Sequence, residues 1–391
     1  MKKGLYLLMI ITHAHIKTME DCEYADGYLQ FRDGKILSVG DMADAPADNV
    51  ILDASGKVLL PGFIDPHCHI GMWEDGLGFE GDDGNEETDP ITPNLRALDA
   101  VNPLDRCFTE ALQAGITTVV TGPGSANPIG GEWLAMKTFG SRIDDMIIKA
   151  PVGMKFALGE NPKSSYNSKN QTPITRMATA ALIRDHLKKA QRYLEDLSRA
   201  EQDEDYDPPE YDAKSEALLP VIKGELKAFF HVHRADDICT AIRIAKEFHL
   251  NYLLIHCTEG HLIPEVLKSE HSDIIIGPII CDRSKPELRN FSAALGSELE
   301  KNGISFALCT DHPVVPIQYL TLSGTVASSE GLSPDTVLKS ITCNAAKICG
   351  ISDRVGSIAP GKDADFILFD CDPLIACAKP TDIFICGRKV K

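Results

Sequence analysis

Residues 59–70 read LLPGFIDPHCHI, an apolar run that ends in two histidines separated by one residue. Side chains two positions apart on an extended strand point to the same side, so His67 and His69 can bind one metal ion together. Three more apolar runs end in a similar residue: LKAFFHVH (226–233) with His231, NYLLIHCTE (251–259) with His256, and ISFALCTDHP (304–313) with Asp311. The pattern predicts strands that deliver histidines and an aspartate to one edge of a sheet.

The central part of the chain alternates such apolar runs with helical patterns. Helices are predicted at 176–200, 235–248 and 334–349. Continuous apolar strands separated by helices are typical of a parallel sheet that is covered on both faces. A chain of 391 residues accommodates a barrel of about 250 residues and a smaller module. We therefore predict an α/β fold built on a (β/α)8 TIM barrel, whose functional residues lie where the strands end.

Both ends of the chain show short apolar runs between turn residues, which is typical of small antiparallel strands. We predict that residues 1–60 and 354–391 form one discontinuous β-sandwich and that residues 61–353 form the barrel. Residues 1–11 (MKKGLYLLMII) are predicted to form a strand, because the polar His13 and His15 follow where a signal peptide would have its cleavage site.

Composition excludes several classes of function. A formal net charge of −18 repels nucleic-acid backbones and anionic membrane surfaces. No apolar run approaches the ~20 residues of a membrane helix. The 12 cysteines include no C-x-x-C pair, which is typical of a protein in a reducing compartment. We therefore predict a cytoplasmic protein that binds neither nucleic acid nor membranes.

Two segments, 73–105 and 195–212, interrupt the alternation of strands and helices, and a glycine-rich stretch is a separate candidate loop. Residues 73–105 are rich in Gly, Asp, Glu, Asn and Pro and are predicted to form a long loop over the barrel mouth. Residues 122–131 (GPGSANPIGG) let backbone approach a ligand closely, and Asn127 is a candidate contact for a substrate amide. The acidic segment 195–212 is predicted to be a solvated excursion.

Taken together, several motifs resemble the amidohydrolase superfamily, and within it the imidazolonepropionases and the Xaa-Pro or Xaa-Arg dipeptidases. The resemblance runs nearly end to end and rests on PGFIDPHCH (61–69), AGITTVV (114–120), His231, His256, TDHP (310–313) and GSIAPGKDADFILFD (356–370). It implies a (β/α)8 barrel with a β-sandwich assembled from both termini. It also implies a metal-dependent hydrolase that acts on carbon–nitrogen bonds.

The resemblance further implies the ligand roles. His67 and His69 are expected to bind the more buried ion, and His231 and His256 the more exposed one. Asp311 is expected to bind metal and to be the catalytic group that moves protons. The cofactor is expected to be zinc or a similar divalent ion, in one or two copies.

The ligand that bridges two such ions has two candidates in PVGMKFALGENPK (151–163). Relatives use a carboxylated lysine or a glutamate at the end of the fourth strand. Lys155 takes the place of the modified lysine in K-x-x-x-G relatives, whereas Glu160 stands nearer the apparent end of the strand. A carboxylate needs no modification to neutralise two cations, so Glu160 is the predicted bridge and carboxylated Lys155 is the alternative.

The predicted substrate contacts flank these ligands. His233 and Arg234 follow His231 and can meet a substrate carboxylate or carbonyl oxygen through charge-assisted hydrogen bonds. His312 is a second candidate, beside Asp311. Glu259 lies three residues after His256, so the two form an H-x-x-E pattern like that of metallo-deaminases. The alternative is that Glu259 is a solvated surface residue without a catalytic role.

These residues predict a metal-dependent amidohydrolase that uses metal-activated water to cleave an amide, cyclic amide or small-peptide bond in a small molecule or dipeptide. The alternative is a deaminase of a heterocycle with a single metal ion. A catalytically silent barrel with a binding or assembly role is the third reading, and the complete ligand set speaks against it. Because relatives often associate, a homo-oligomer is also predicted.

Overall fold

The computed structural model describes residues 8–47 and 50–391. The strands are β1 (Met9–Lys17), β2 (Glu23–Arg32), β3 (Lys35–Asp41), β4 (Val50–Asp53), β5 (Val58–Pro61), β6 (Phe63–Cys68), β7 (Ile116–Thr121), β8 (Ile129–Lys137), β9 (Ile147–Ala157), β10 (Lys227–Val232), β11 (Tyr252–His256), β12 (Asp273–Ile276), β13 (Ala307–Leu308), β14 (Phe366–Phe369), β15 (Asp382–Ile385) and β16 (Arg388–Lys389). The helices are α1 (Arg106–Gln113), α2 (Glu160–Asn167), α3 (Arg176–Gln202), α4 (Ala213–Ile222), α5 (Ala235–Glu247), α6 (Pro264–Glu270), α7 (Leu295–Lys301), α8 (Leu320–Ser329), α9 (Pro334–Ser340) and α10 (Cys343–Ile348). The strand predicted at residues 1–11 is observed from Met9 onward, and residues 1–7 lie outside the described range.

The central sheet has eight strands in the order β13-β12-β11-β10-β9-β8-β7-β6. Its two outer strands approach each other at the C-terminal end of β6. There the backbone N–H of Asp311 donates to the His67 carbonyl oxygen at 3.1 Å, and that of His69 donates to the His312 carbonyl oxygen at 2.8 Å. These bonds join the two edges, so the sheet forms a nearly closed barrel, which is compatible with the predicted TIM barrel.

One strand departs from the predicted parallel order. β8 runs antiparallel to both of its neighbours, β7 and β9. The connections at 122–128 and 138–146 are too short for the crossover that parallel neighbours require, about a dozen residues or more, so the chain turns back as a hairpin at each end. The remaining neighbours in the barrel sheet are parallel.

The predicted helices are found with small changes. α3 and α5 match the predicted ranges within two residues at either end. The predicted helix at 334–349 is divided into α9 and α10, because the chain leaves the helical conformation at Thr342, where φ is −138° and ψ is −101°. The acidic segment predicted as an excursion is helical up to Gln202.

Strands from both ends of the chain join in a second eight-stranded sheet. Its order is β16-β15-β14-β5-β1-β2-β3, and β4 pairs with β1. β14 pairs with β5 in antiparallel register, which joins the C-terminal strands to the N-terminal ones. Phe31, Phe366 and Phe384 pack together in its core. The description of this unit as a two-sheet sandwich with boundaries at residues 60 and 354 stays a prediction.

A buried ion network links this terminal sheet to the barrel. The Asp363 carboxylate is 2% exposed and accepts hydrogen bonds from Lys35 Nζ at 2.7 Å and from Arg354 Nη2 at 2.8 Å. Lys137, at the end of β8, lies 2.9 Å from Asp363 and also contacts Asp365. Burial raises the pKa of Asp363, but hydrogen bonds from Arg354 and the charge of Lys137 hold that pKa well below its usual range. The network therefore depends on an ionised Asp363.

We expect Asp363→Asn to lower the free energy of unfolding by about 3–5 kcal/mol, because the change leaves buried cations without their counter-charge. Urea titration followed by circular dichroism measures this quantity. Asp335→Asn is the matched control, since Asp335 forms an exposed pair with Lys339 and should contribute less than about 1 kcal/mol. Equal losses in the two variants would contradict the role assigned to the network.

None of the helices within residues 8–47 and 50–391 combines the length and apolar character needed to cross a membrane. All 12 cysteines are unpaired, as predicted from their spacing.

Candidate active site

The first pair of histidines lies at the C-terminal end of β6. His67 is fully buried and stacks on the Trp133 indole, with the ring centroids 4.4 Å apart and the ring planes 8° apart. His69 Nδ1 lies 2.6 Å from the Gly122 carbonyl oxygen, so Nδ1 donates and Nε2 keeps a free lone pair. The Nε2 atoms of both histidines lie 3.3 Å from one oxygen, Asp311 Oδ1. These three side chains converge on a single point.

The second group of histidines lies at the ends of β10 and β11. His231, His233 and His256 each offer a ring nitrogen, and these three atoms lie within 4.8 Å of one another. His256 Nδ1 donates to the Gly277 carbonyl oxygen at 2.6 Å, which leaves its Nε2 as an acceptor. His233 Nδ1 lies 2.7 Å from Thr258 Oγ1. Contacts outside the group thus orient two of its three rings.

His256 also belongs to a group with His67 and Asp311, whose ligand atoms again lie within 4.8 Å of one another. The two groups share His256 and are therefore adjacent. The structure brings together these ligands predicted from the sequence: His67, His69, His231, His256 and Asp311. The arrangement provides donors for one ion or for two neighbouring ions.

Several buried nitrogens in this region have no hydrogen-bond partner among the described residues. They include His67 Nδ1, His256 Nε2 and Lys155 Nζ. An unpaired buried polar group costs roughly 1–3 kcal/mol, and native proteins keep few of them. Imidazole and carboxylate are donors that zinc and similar divalent ions accept. The residues present therefore fit a divalent metal centre.

The protonation states of the site suit metal binding. Burial lowers the pKa of His256 to about 4 and places the pKa of His67 and His231 well below the ordinary histidine value. Burial raises the pKa of Asp311, but the charge of His256 and a hydrogen bond from His67 hold that pKa well below its usual range. Metal ligands must be neutral imidazoles and ionised carboxylates, and at neutral pH these side chains already are.

Lys155 lies in β9 beside this centre. Its side chain is fully buried, and its ammonium group lies over the Trp133 ring, 4.8 Å from the centroid. Burial lowers the pKa of Lys155 to about 7, even though the charge of Asp311 raises it. Burial therefore favours the neutral amine of Lys155 over the ammonium form. A neutral amine is the form that can react with carbon dioxide to give a carbamate.

The backbone is strained where two of the ligands lie. His256 and Asp311 adopt positive φ angles of 71° and 55°, a region that residues other than glycine visit rarely. Each such residue costs of order 1–3 kcal/mol, and strain of this kind concentrates at functional sites. The strained residues are the last residue of β11 and a residue shortly after β13, and both lie at the barrel rim.

A cavity of about 720 Å³ opens over the convergent ligands. His69, His231, His233 and Asp311 form part of its wall. The loop predicted over the barrel mouth contributes Trp73, Asn85 and Glu87, and the remaining wall includes Ser125, Asn161, Ser164, Cys281, Lys285, Leu288, Phe291 and Val314. This volume suits a small molecule or a dipeptide.

Glu160 and Arg234 are placed away from the ligands, contrary to the roles predicted for them. Glu160 begins α2, and its carboxylate accepts the backbone N–H of Glu287 at 3.2 Å. Arg234 forms a bidentate pair with Asp236. Glu160 and Arg234 line a separate cavity of about 370 Å³. The chain turns out of β9 at Gly159, where φ is 88°, so Glu160 no longer follows the strand toward the metal ligands.

Asn127 is buried, and its side-chain amide is used inside the protein. Its Nδ2 donates to the Glu86 carbonyl oxygen at 2.8 Å and to Thr92 Oγ1 at 2.9 Å, while its Oδ1 accepts from Tyr166 at 2.7 Å. Asn127 therefore anchors the mouth loop, in place of the substrate contact predicted for it.

Two further predicted residues, His312 and Glu259, form hydrogen bonds within the protein. His312 Nδ1 accepts the backbone N–H of Ile317 at 3.2 Å, and this histidine is not part of the wall of the 720 Å³ cavity. Glu259 accepts the backbone N–H of Ala235 at 2.8 Å and the Asn290 amide at 2.7 Å. Glu259 thus stabilises the start of α5, so its arrangement does not favour the proton-transfer role of a deaminase glutamate.

Three residues near the ligands were not predicted from the sequence. Trp133 lies in β8, the antiparallel strand that the sequence pattern did not predict. The Trp133 ring contacts both His67 and Lys155. Asn161 and Lys285 join the cavity wall from α2 and from the segment after β12. The polar run CDRSKPE at 281–287 follows an apolar strand, and this position could have identified Lys285.

Comparison with known proteins identifies the family. A profile of the Amidohydrolase family matches residues 186–390, slightly more than half of the chain. The crystal structure of an amidohydrolase from Thermotoga maritima MSB8 is 38% identical, covers 98% of this chain and 99% of its own, and has a TM-score of 0.94. The chain belongs to the amidohydrolase family. The resemblance to the amidohydrolase superfamily stated from the sequence motifs is thereby confirmed.

Other members of the family are more distant. The chain is 29% identical over 374 residues to the amidohydrolase tasK of Hapsidospora irregularis and 22% identical over 374 residues to an adenine deaminase of Listeria innocua. These matches cover 88% and 92% of this chain but only 37% and 54% of the relatives, so the chain spans about a third to a half of their length. An imidazolonepropionase of Solibacter usitatus is 22% identical over 392 residues, across 89% of this chain and 85% of the relative.

Proposed function

We propose that this amidohydrolase cleaves an amide, cyclic amide or small-peptide carbon–nitrogen bond in a small molecule or dipeptide, with zinc or a similar divalent ion as cofactor. The observation that carries the proposal is the convergence of His67, His69 and Asp311 beside His231 and His256, with buried nitrogens that have no hydrogen-bond partner within residues 8–47 and 50–391. Family membership and the cavity above the ligands support it.

Five side chains would hold the cofactor. His67 and His69 would bind the more buried ion, His231 and His256 the more exposed one, and Asp311 would contact the former. A bound divalent ion lowers the pKa of water toward ~7 and polarises a carbonyl oxygen. The barrel supplies these ligands from four different strand ends, so their spacing is set by the sheet.

Asp311 is the proposed proton-transfer group. The pKa of its carboxylate is held well below the usual range, so the group is ionised at neutral pH, and it forms part of the cavity wall. Asp311 accepts a proton from the attacking water and passes it to the leaving nitrogen. One carboxylate can perform both transfers because the proton received in the first is the one required in the second.

Lys155 is the proposed bridge between two ions, after carboxylation. The neutral amine adds to carbon dioxide, a nitrogen–carbon bond forms, and one proton is released. The product is a carbamate, whose negative charge would help Lys155 to hold the divalent cofactor beside the histidines. Lys155 Nζ is buried and has no hydrogen-bond partner in the described part of the chain, which supports this role, whereas Glu160 lines another cavity.

The second candidate function is deamination of a heterocycle at a single metal ion. The 22% identity to an adenine deaminase across 92% of this chain favours it. The two functions yield different products, because hydrolysis of an amide releases a carboxylate and an amine, whereas deamination releases ammonia and an oxygenated ring.

We retain the predictions of a cytoplasmic location and of a homo-oligomer.

The proposed function predicts that protein loaded with Zn²⁺ releases amines from a panel of N-acyl amino acids, dipeptides and cyclic amides. Removal of the ion by a chelator should abolish the release, and added Zn²⁺ should restore it. Amine release is measured with a fluorescent amine reagent, and ammonia release from adenine is measured in parallel. Ammonia release from adenine without amide cleavage would favour the deaminase, and a fully loaded protein inactive on both sets would overturn both functions.

A further inference from the structure

Lys285 stands out in the wall of the cavity. It lies on the segment between β12 and α7, and its side chain is 38% exposed. Among the cavity-lining residues in the described part of the chain, it is the single lysine or arginine. Within the described part of the chain, Lys285 is therefore the basic side chain that can contact a substrate bound in this cavity.

The Lys285 ammonium group is held close to the proposed metal ligands. Its Nζ donates to Asn161 Oδ1 at 2.9 Å. The Nδ2 of the same amide donates to Ser125 Oγ at 2.7 Å and lies 3.3 Å from His231 Nε2. The Asn161 side chain thus spans the gap between the ammonium group and a proposed ligand. An anion bound at Lys285 would lie within one small molecule's length of the reacting bond.

Nearby acids leave Lys285 able to bind another partner. Glu287 Oε1 is 3.4 Å from Lys285 Nζ and 3.7 Å from His233 Nε2, while Glu287 Oε2 accepts the backbone N–H of Glu160 at 3.0 Å. The Glu287 carboxylate is therefore shared among several donors. An ammonium group has three N–H donors. The bonds to Asn161 Oδ1 at 2.9 Å and to Glu287 Oε1 at 3.4 Å use two of them, and the third remains for a bound substrate.

The surroundings of Lys285 indicate the kind of anion. Leu288, Phe291 and Ile280 line the same cavity and provide an apolar surface beside the charge. The acids Glu87 and Asp282 also line it, and they lower its preference for a group that carries two negative charges. One cation, an apolar wall and nearby acids together suit a monoanion such as a carboxylate better than a phosphate.

We propose that Lys285 binds a substrate carboxylate and thereby restricts this amidohydrolase to substrates with a free carboxylate near the scissile carbon–nitrogen bond and an apolar group beside it. The inference rests on the proposed function, which it deepens. It assigns to Lys285 the contact that the sequence motif had suggested for Arg234, which lies in another cavity.

Two uncleavable probes test this inference by isothermal titration of the Zn²⁺-loaded protein. One is β-benzoylpropionate, in which a methylene group replaces the N–H of an N-acyl amino acid. The other is its methyl-ketone analogue, which has the same shape without the charge. A charge-assisted hydrogen bond should make the wild-type protein bind the carboxylate at least about tenfold more tightly than the ketone.

Lys285→Met should weaken binding of β-benzoylpropionate by about tenfold or more and leave binding of the ketone within about twofold. Lys285→Arg should retain most of the preference, because it keeps the charge. Lys163→Met is the matched control, since Lys163 lines the separate cavity, and it should behave like wild type.

The inference would be overturned if the wild-type protein bound the two probes with equal affinity or bound neither of them. It would also be overturned if Lys285→Met kept the preference for the carboxylate. Failure of the proposed function has a different signature. In that case the carboxylate preference would be present, but the loaded protein would cleave no amide in the substrate panel.

Discussion

Asp311→Asn is expected to lower kcat for amide hydrolysis by about a thousandfold or more. General acid–base catalysis contributes typically 10²–10⁴-fold, and asparagine has nearly the shape of aspartate but cannot accept the proton. The change also removes the charge 3.3 Å from the Nε2 atoms of His67 and His69, so metal affinity should fall as well. Steady-state kinetics at saturating Zn²⁺ and plasma mass spectrometry of the bound metal measure the two effects separately.

Asp335→Asn serves again as the control, because it makes the same chemical change on the exposed face of α9. Its kcat and metal content should match those of the wild-type protein. An Asp311→Asn variant with full metal content and a kcat close to wild type would show that another group transfers the proton.

Lys155→Met is expected to lower the metal content from two ions per chain to one or fewer and to lower kcat by about a thousandfold. Methionine fills a similar volume but cannot form a carbamate, so the two ions would lose their bridge. Metal content is measured by plasma mass spectrometry after purification without chelator. In addition, wild-type protein incubated with carbon-13 bicarbonate should show a carbamate resonance that the variant lacks.

Glu160→Gln provides the comparison, since Glu160 was the bridge predicted from the sequence. Its carboxylate contacts the Glu287 backbone in a different cavity, so this variant should keep its metal ions and most of its activity. Loss of metal from Glu160→Gln together with retention by Lys155→Met would reverse the assignment of the bridge.

The strand ends account for the part of the site that the sequence predicted well. His67, His231, His256 and Asp311 each follow a buried apolar run, and the parallel strands of a barrel end at one rim. Their convergence therefore follows from local pattern and sheet topology together. The family motifs added the assignment of each ligand, which spacing alone does not provide.

The remaining site residues depend on turns that apolar periodicity does not encode. Glu160 was predicted to continue the line of β9, but the positive φ of Gly159 redirects the chain into α2. Asn127 was predicted to face a ligand, yet its amide is fully used by the mouth loop and by Tyr166. Such partners are distant in sequence, so only the folded structure reveals them.

The position of the two indole side chains provides an optical probe of the active site. Trp73 and Trp133 are the only two tryptophans in the chain. Trp133 stacks on His67, and Trp73 meets His69 edge to face, with ring centroids 4.7 Å apart. All of the tryptophan emission therefore originates next to the proposed metal ligands. Fluorescence changes during metal loading or substrate entry would thus report on this centre without an attached label.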